Sequence, residues 1–157
     1  MNTRHLQMQQ ESNTEKLTYA PLPIISKEEA IEIIKNDDFD MLKIVPLSLG
    51  EYCEDSKFSE NICLTLMNHS DEVIRTFAMQ GLAYIARNHC SLERARVEKP
   101  VLKMMRSKMG HEALCRANDA FVDIYLFMKW NVTPEYIWSI VLFKLNLLTC
   151  KRKAKIS

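Results

Sequence analysis

The sequence carries one apolar pattern twice, about 40 residues apart, and this repeat limits the folds open to the chain. Residues 56–68 and 71–88 each have apolar side chains at three- and four-residue spacing, and residues 93–108 and 111–128 do the same. Leu64 corresponds to Leu102, an offset of 38 residues. The offset of about 38 to 42 residues lies in or near the period of helical-pair repeats. The pattern predicts an all-α fold of stacked antiparallel helix pairs.

Capping residues mark where three of the predicted helices begin. Ser26 and Glu29 have the spacing of a capping box, so we expect the first helix to start there. Asp71 is a good N-cap for the second helix of the first repeated pair. Thr133 and Pro134 predict the start of a C-terminal helix, because threonine caps well and proline is tolerated in a first turn.

Residues 38–49 have a weaker helical pattern. Apolar side chains recur there, but Pro46 would remove a backbone hydrogen bond in mid-helix, and Gly50 is typical of a helix end. We therefore predict only a short helical turn, packed under the first helix pair.

Length and composition are those of a small globular protein. The 157 residues suit one domain, and the low counts of 3 Gly and 5 Pro favour helices over turn-rich sheets. We expect a disordered or loosely packed leader over residues 1–22 and a helical-pair domain over residues 23–130. Residues 131–157 are expected to form an apolar helix with a basic tail, packed on the same domain.

Charge and cysteine content argue against several classes of protein. A formal net charge of +1 creates no long-range field for DNA, RNA or an anionic membrane, so we expect no direct nucleic-acid binding. The 5 cysteines occur singly, and their odd number argues against a disulfide framework. The polar N-terminus shows no secretory signal. These features favour a cytoplasmic protein with reduced cysteines.

Two stretches of the chain carry motifs of a known family. Residues 64–89 contain D-x-V-x-R-x-x-A, which begins at Asp71, and A-R-x-H, which begins at Ala86. Residues 116–130 contain R-A-x-D-A-x-x-D-I and end in Trp130. With these motifs the chain resembles a family of small bacterial HEAT-repeat proteins.

The resemblance covers about Phe58 to Trp130, and it implies a HEAT-like α-α superhelix. Members of that family are often immunity proteins encoded beside polymorphic or contact-dependent growth inhibition toxins. Such proteins usually end soon after the tryptophan, so residues 131–157 depart from the pattern. The additional segment could cover a core edge, form a dimer contact or complete a toxin-binding surface.

No arrangement of residues typical of an enzyme is visible in the sequence. Catalysis needs a nucleophile with its base, a carboxylate pair in a cleft or a metal site held by rigid neighbours. The 4 histidines lie at turns without the i, i+4 spacing of helical metal sites, and the 3 glycines cannot form a phosphate-binding loop. We therefore predict no catalytic residues, no cofactor and no metal.

Four carboxylates on the repeated helices are candidates for partner binding. Asp119 and Asp123 share one helix face, and Asp71 and Glu72 begin another helix. One interpretation is structural: Arg116 pairs with Asp119 within a polar ladder between repeats. The other is functional: the four carboxylates form an acidic strip that faces a basic nuclease cleft, where complementary charge speeds association.

Three aromatic residues and the C-terminal helix are further candidates for contacts with other proteins. Tyr84, Tyr125 and Trp130 lie near the ends or polar sides of helices, where aromatic side chains serve either as interface anchors or as half-buried packing. The apolar segment over residues 136–148 is too short to span a bilayer. A buried helix or a homodimer contact is favoured there over a membrane anchor.

The leading hypothesis from the sequence is an immunity protein. It would bind a cognate toxin domain, expected to be a nuclease, and cover its active or substrate-binding surface. The competing hypothesis is a HEAT-like protein-protein adaptor or scaffold with no toxin partner. A HEAT-like DNA-repair enzyme would need a strongly basic concave face, against which the net charge of +1 argues.

Overall fold

A computed structural model describes the backbone of residues 20–154 and the side chains of residues 20–150. This part of the chain forms seven helices, which confirms the all-α prediction for the residues described. They are α1 (Lys27–Asn36), α2 (Phe39–Tyr52), α3 (Ser56–Leu66), α4 (Glu72–His89), α5 (Arg94–Met105), α6 (His111–Met128) and α7 (Pro134–Ala154). Residues 1–19 of the predicted leader lie outside the described residues, as do the side chains of the predicted basic tail.

The predicted capping residues begin their helices. At the start of α1, the Ser26 hydroxyl accepts a hydrogen bond from the Glu29 backbone N–H at 3.2 Å, and the Glu29 carboxylate accepts one from the Ser26 N–H at 2.8 Å. At the start of α7, the Thr133 hydroxyl accepts from the Tyr136 N–H at 3.2 Å. Each bond satisfies a backbone donor that has no partner within the helix.

The prediction of a short turn over residues 38–49 is wrong, because α2 is a helix of 14 residues that contains Pro46 and continues through Gly50. Gly50 serves close packing instead of ending the helix. A Cβ atom at Gly50 would lie 2.7 Å from the Gly81 carbonyl oxygen, and one at Gly81 would lie 2.6 Å from that of Pro46. The two glycines therefore let α2 and α4 approach each other more closely than side chains would permit.

Helices α2, α4 and α6 form one layer, which we call the even layer. Gly81 of α4 lies against Pro46 of α2, and Arg87, six residues after Gly81, contacts Glu51, five residues after Pro46. The contacts advance in the same direction along both helices, so α2 and α4 are parallel. The Arg87 guanidinium ends this series with an ion pair to Glu51 at 2.9 Å.

The same relation holds between α4 and α6. Glu72 contacts Gly110, 38 residues further along the chain. The guanidinium of Arg116 lies 4.4 Å from the ring centre of Phe77, a separation of 39 residues. Helices α4 and α6 are therefore also parallel, with a register of 38 to 39 residues.

Helices α1, α3, α5 and α7 form a second layer, the odd layer. At the starts of α1 and α3, Lys27 forms an ion pair with Asp55 at 2.6 Å, and at their ends Asp37 faces His69 at 3.3 Å. Start meets start and end meets end, so α1 and α3 are parallel. The buried carboxylate of Glu60 in α3 reaches Arg96 of α5 at 3.1 Å. The layer therefore continues from α1 through α3 to α5.

Helix α7 continues the odd layer beyond α5. Arg94 at the start of α5 donates to the carbonyl of Asn131, just before α7, at 3.0 Å. Beyond the end of α5, the Ser107 carbonyl accepts from the amide of Asn146, in the second half of α7, at 3.3 Å. Helices α5 and α7 are thus parallel. Between residues 20 and 154, no helix has both the length and the hydrophobicity required to cross a membrane.

The core lies between the two layers and is centred on α4, which packs against α2, α3 and α6. Helices α5 and α6 are antiparallel across it, since the Tyr125 hydroxyl near the end of α6 reaches Glu98 near the start of α5 at 2.9 Å. The largest fully buried apolar side chains are Leu42, Val45, Leu49, Ile74, Met79, Leu82, Ile85, Met105, Leu114, Phe121 and Ile124. Ten of these residues come from the even layer and one, Met105, from α5, so the even layer supplies most of the core and the odd layer covers it.

Candidate functional site

Asp71 is engaged in starting α4. Its carboxylate accepts hydrogen bonds from the backbone N–H groups of Val73 at 2.7 Å and Ile74 at 3.4 Å. Its own N–H donates to Nδ1 of His69 at 3.0 Å. The side chain is half-buried, so it stabilises the fold here and has little surface left for a partner.

Glu72 joins the starts of α4 and α6. Its two carboxylate oxygens accept from the Gly110 backbone N–H at 3.1 and 3.3 Å. Asp119 lies nine residues beyond Gly110 in the same direction, which is roughly 13 Å along the helix. The structure therefore does not bring the four predicted carboxylates into one continuous acidic strip.

Asp119 and Asp123 nevertheless share a face of the even layer with one predicted aromatic residue. The register between α4 and α6 puts Asp119 at the level of Gln80 and Asp123 at the level of Tyr84, since each pair is 39 residues apart, like Phe77 and Arg116. Asp119 is exposed, while Asp123 and Tyr84 are half-buried. Three of the seven predicted site residues are thus brought together.

The cations on this face are held by other groups. The Arg116 guanidinium pairs with Glu112 at 3.0 Å and lies over the ring of Phe77, so the predicted pair between Arg116 and Asp119 is wrong. A side chain four residues away on a helix is reached more easily, and the aromatic ring fixes the guanidinium toward α4. Arg87 lies 4.5 Å from the ring centre of Tyr84, in addition to its ion pair with Glu51. Within residues 20–150, no ion pair involves Asp119 or Asp123.

Two exposed apolar residues on α6 were missed by the sequence analysis. Val122 is 47% exposed and Leu126 is 64% exposed. They lie three and seven residues after Asp119, on the same side of the helix. Their signal in the sequence was an apolar side chain on the polar side of an amphipathic helix. We call Tyr84, Asp119, Val122, Asp123 and Leu126 together the α6 surface.

Tyr125 is buried, with only 7% of its surface exposed, so it is not an accessible anchor. Its ring packs against Phe121 at 4.8 Å and Tyr136 at 4.6 Å between ring centres. Its hydroxyl donates to Glu98, which Arg94 also contacts through two nitrogens at 2.8 and 2.9 Å. Burial is the main cause that raises the pKa of Tyr125, and the hydrogen bond to Glu98 adds to it.

Trp130 borders the same aromatic cluster. The Trp130 ring meets the Tyr125 ring edge to face, with 5.5 Å between ring centres. The Arg94 guanidinium lies 5.6 Å from the centre of the Trp130 ring. The side chain is half-buried at the junction of α5, α6 and α7. Trp130 therefore packs the connection before α7 against α5 and α6.

The histidines with described contacts are engaged at turns. His69 accepts from the Asp71 N–H and faces Asp37, and His111 lies 3.9 Å from the Cys115 sulfur. In the part of the chain that the structure describes, no group of three or more His, Cys, Asp or Glu side chains could hold a metal ion.

Comparisons of the chain with protein-family models, characterised proteins and solved structures find no match.

Proposed function

We propose that this chain is a cytoplasmic immunity protein that binds a cognate bacterial toxin domain through the α6 surface. The observation that carries the proposal is the imbalance on that surface. Its two aspartates have no cationic partner among the described residues, while the neighbouring Arg87 and Arg116 are held by carboxylates and aromatic rings. Exposed Leu126 lies three residues from Asp123. Unpaired acidic groups beside an apolar side chain suit a basic partner with an apolar contact at its centre.

The proposal includes a HEAT-like α-α superhelix. Two features support it: the parallel order within each layer, and the register of 38 to 39 residues between α4 and α6. Helical-pair repeats stack in this way and use one helix of each pair to line a binding surface. The family resemblance over Phe58 to Trp130 points to the same architecture.

The proposed mechanism is steric and electrostatic inhibition, without catalysis or a cofactor. Asp119 and Asp123 would attract the basic groove in which a nuclease toxin holds its nucleic acid. They would then occupy positions that the phosphates of the substrate need, so the toxin could not engage its target. A surface built on packed helices loses little conformational entropy on docking, which favours tight binding.

The test is co-purification with the protein domain encoded immediately upstream, combined with growth rescue of cells that express that domain. The double variant Asp119→Lys and Asp123→Lys should weaken binding at least about tenfold, mainly through slower association, and should abolish rescue. A matched control is Glu28→Lys with Glu32→Lys, which reverses two exposed charges at the same i, i+4 spacing on α1. That control should bind and rescue normally.

Two results would overturn parts of the proposal. Equal binding by the two double variants would show that the toxin contacts another face. No complex and no rescue with the unaltered chain would reject the immunity function and favour an adaptor or scaffold module, which uses the same architecture without a toxin partner.

A further inference from the structure

Helix α7 has one face packed on the domain and an opposite face that is not covered by any of the residues the structure describes. On the packed face, Ser139 is fully buried and Phe143 is 8% exposed. The Cys150 thiol donates to the Met109 carbonyl at 3.5 Å near the end of that face. The position of α7 in its layer is therefore fixed by α5 and α6, independently of what lies on its other side.

The uncovered face is apolar along its length. We call its five side chains the α7 stripe, and they are between 41% and 58% exposed: Ile137, Trp138, Val141, Leu145 and Leu148. The last four are spaced by three, four and three residues, which is the a/d spacing of a coiled coil. A stripe with this period matches the side of another helix.

The stripe lies at one end of the odd layer, and α1 lies at the other end. The exposed side chains at the two ends differ in polarity. On α1, the exposed residues are the charged Glu28, Glu29, Glu32 and Lys35, together with Asn36 and one apolar residue, Ile31, which is 41% exposed. Stacks of helical pairs need a polar outer face at their ends to stay soluble. The α1 end, with one exposed apolar side chain among charged ones, comes close to this requirement, and the α7 end meets it only when another helix covers its five apolar side chains.

We propose that a second copy of this chain covers the α7 stripe, with α7 packed on α7 around a two-fold axis. The five side chains expose on the order of 500 Å² of mostly apolar surface, about the apolar share of the roughly 800 Å² that each partner buries in a stable complex. None of the five is charged, and Lys144 lies at the margin, so the stripe meets an identical stripe without a charge clash at its centre. A two-fold axis covers both uncapped ends at once.

The experiment measures the mass of the full chain by sedimentation equilibrium in a concentration series reaching about 100 µM. The unaltered chain should approach twice the 18.3 kDa of one copy. Val141→Glu should remain at the mass of one copy, because it places two carboxylates in the apolar interface. The control Val132→Glu makes the same change at an apolar residue that is 61% exposed in the connection before α7, and it should still dimerise.

Circular dichroism establishes that each variant is folded, and Leu145→Lys provides a second disruption of the stripe if Val141→Glu does not fold. A single-copy mass for the unaltered chain at every concentration would overturn the proposal. So would a dimer that survives both stripe substitutions. Because the stripe lies on α7 and the α6 surface lies on α4 and α6, the double variant Asp119→Lys and Asp123→Lys should dimerise normally, so either proposal can fail without the other.

Discussion

The Glu98 carboxylate joins α5 to α6, and its partner Arg94 joins α5 to the connection before α7. Glu98 receives two hydrogen bonds from Arg94 on its own helix and one from the Tyr125 hydroxyl on α6, and Arg94 also binds the Asn131 carbonyl before α7. The bonds from Arg94 are the main cause that holds the pKa of Glu98 below its usual value of 4.5, and the Tyr125 hydroxyl contributes. The ionised form of Glu98 is therefore favoured by folding.

A lowered pKa in the folded state gives a stability contribution that is present above the ordinary pKa and lost as pH falls through the folded one. We expect Glu98→Gln to lower the free energy of unfolding by about 1–2 kcal/mol at neutral pH and by less near pH 3. Urea unfolding at both pH values measures this. Glu112→Gln, which removes an exposed ion pair to Arg116, should change little. An equal loss from Glu98→Gln at both pH values would contradict the role of its charge.

At the scale of helices, α2 and α4 pack closely at two glycines, Gly50 and Gly81. A Cβ at Gly81 would meet the Pro46 carbonyl, the Pro46 Cβ at 2.7 Å and the Cys63 sulfur at 2.8 Å. Two of these atoms belong to α2 and one to α3. Gly81 therefore sets how closely three helices approach one another, although it lies in the middle of α4, where glycine weakens a helix.

Gly81→Ala should destabilise the protein by about 1–3 kcal/mol, because the three neighbours must move apart. Helix propensity alone predicts the opposite sign, a gain of about 1 kcal/mol. Thermal and urea unfolding distinguish the two. Ala95→Gly, at an exposed position of α5, measures the propensity difference without the packing. A gain in stability for Gly81→Ala would mean that α2 and α4 are farther apart than described.

Much of the helix pattern could be predicted from local signals in the sequence, such as capping residues. Much of the candidate site could not, because it depends on contacts between residues distant in sequence. Ser26, Asp71 and Thr133 begin their helices as predicted, because a cap acts on backbone groups only two or three residues away. The course of α2 through Pro46 could not be predicted in this way. It depends on the packing of Gly50 against α4, a contact between residues distant in sequence.

The site residues show the same division. Glu72 accepts a hydrogen bond from a backbone N–H 38 residues away, and no local sequence pattern predicts such a contact. Tyr125 is buried because Tyr136 of α7 packs against it, and the position of α7 was not predictable. Asp119 is exposed and Asp123 is half-buried, and both lie on the polar side of α6, which follows from the period of an amphipathic helix.

At the scale of the whole molecule, α7 is part of the same packed unit as the repeated pairs. Phe143 and the aromatic cluster around Tyr125 connect it to α5 and α6. Both tryptophans, Trp130 and Trp138, lie at this end of the chain. Their fluorescence therefore reports on the C-terminal end, while circular dichroism reports on all helices.

Phe143→Ala should lower the free energy of unfolding by about 3 kcal/mol and the midpoint temperature by roughly 6–12 °C. Fluorescence and circular dichroism should still show one coincident transition, because the buried face of α7 is shared with the rest of the core. Leu148→Ala, on the exposed face, should leave the unfolding of the single chain nearly unchanged. An earlier fluorescence transition would mean that α7 unfolds separately.

The parallel order within each layer also bears on how the chain reaches its native state. Among the described side-chain hydrogen bonds, the largest sequence separation is 41 residues, between Cys150 and Met109. Each helix therefore needs only its neighbours one or two places along the chain, and α1 does not have to find α7. The entropy lost in closing loops stays small, and folding can start at α2 and α4 and spread outward in both directions. During synthesis, the first helix pairs can become native while the ribosome is still adding α7.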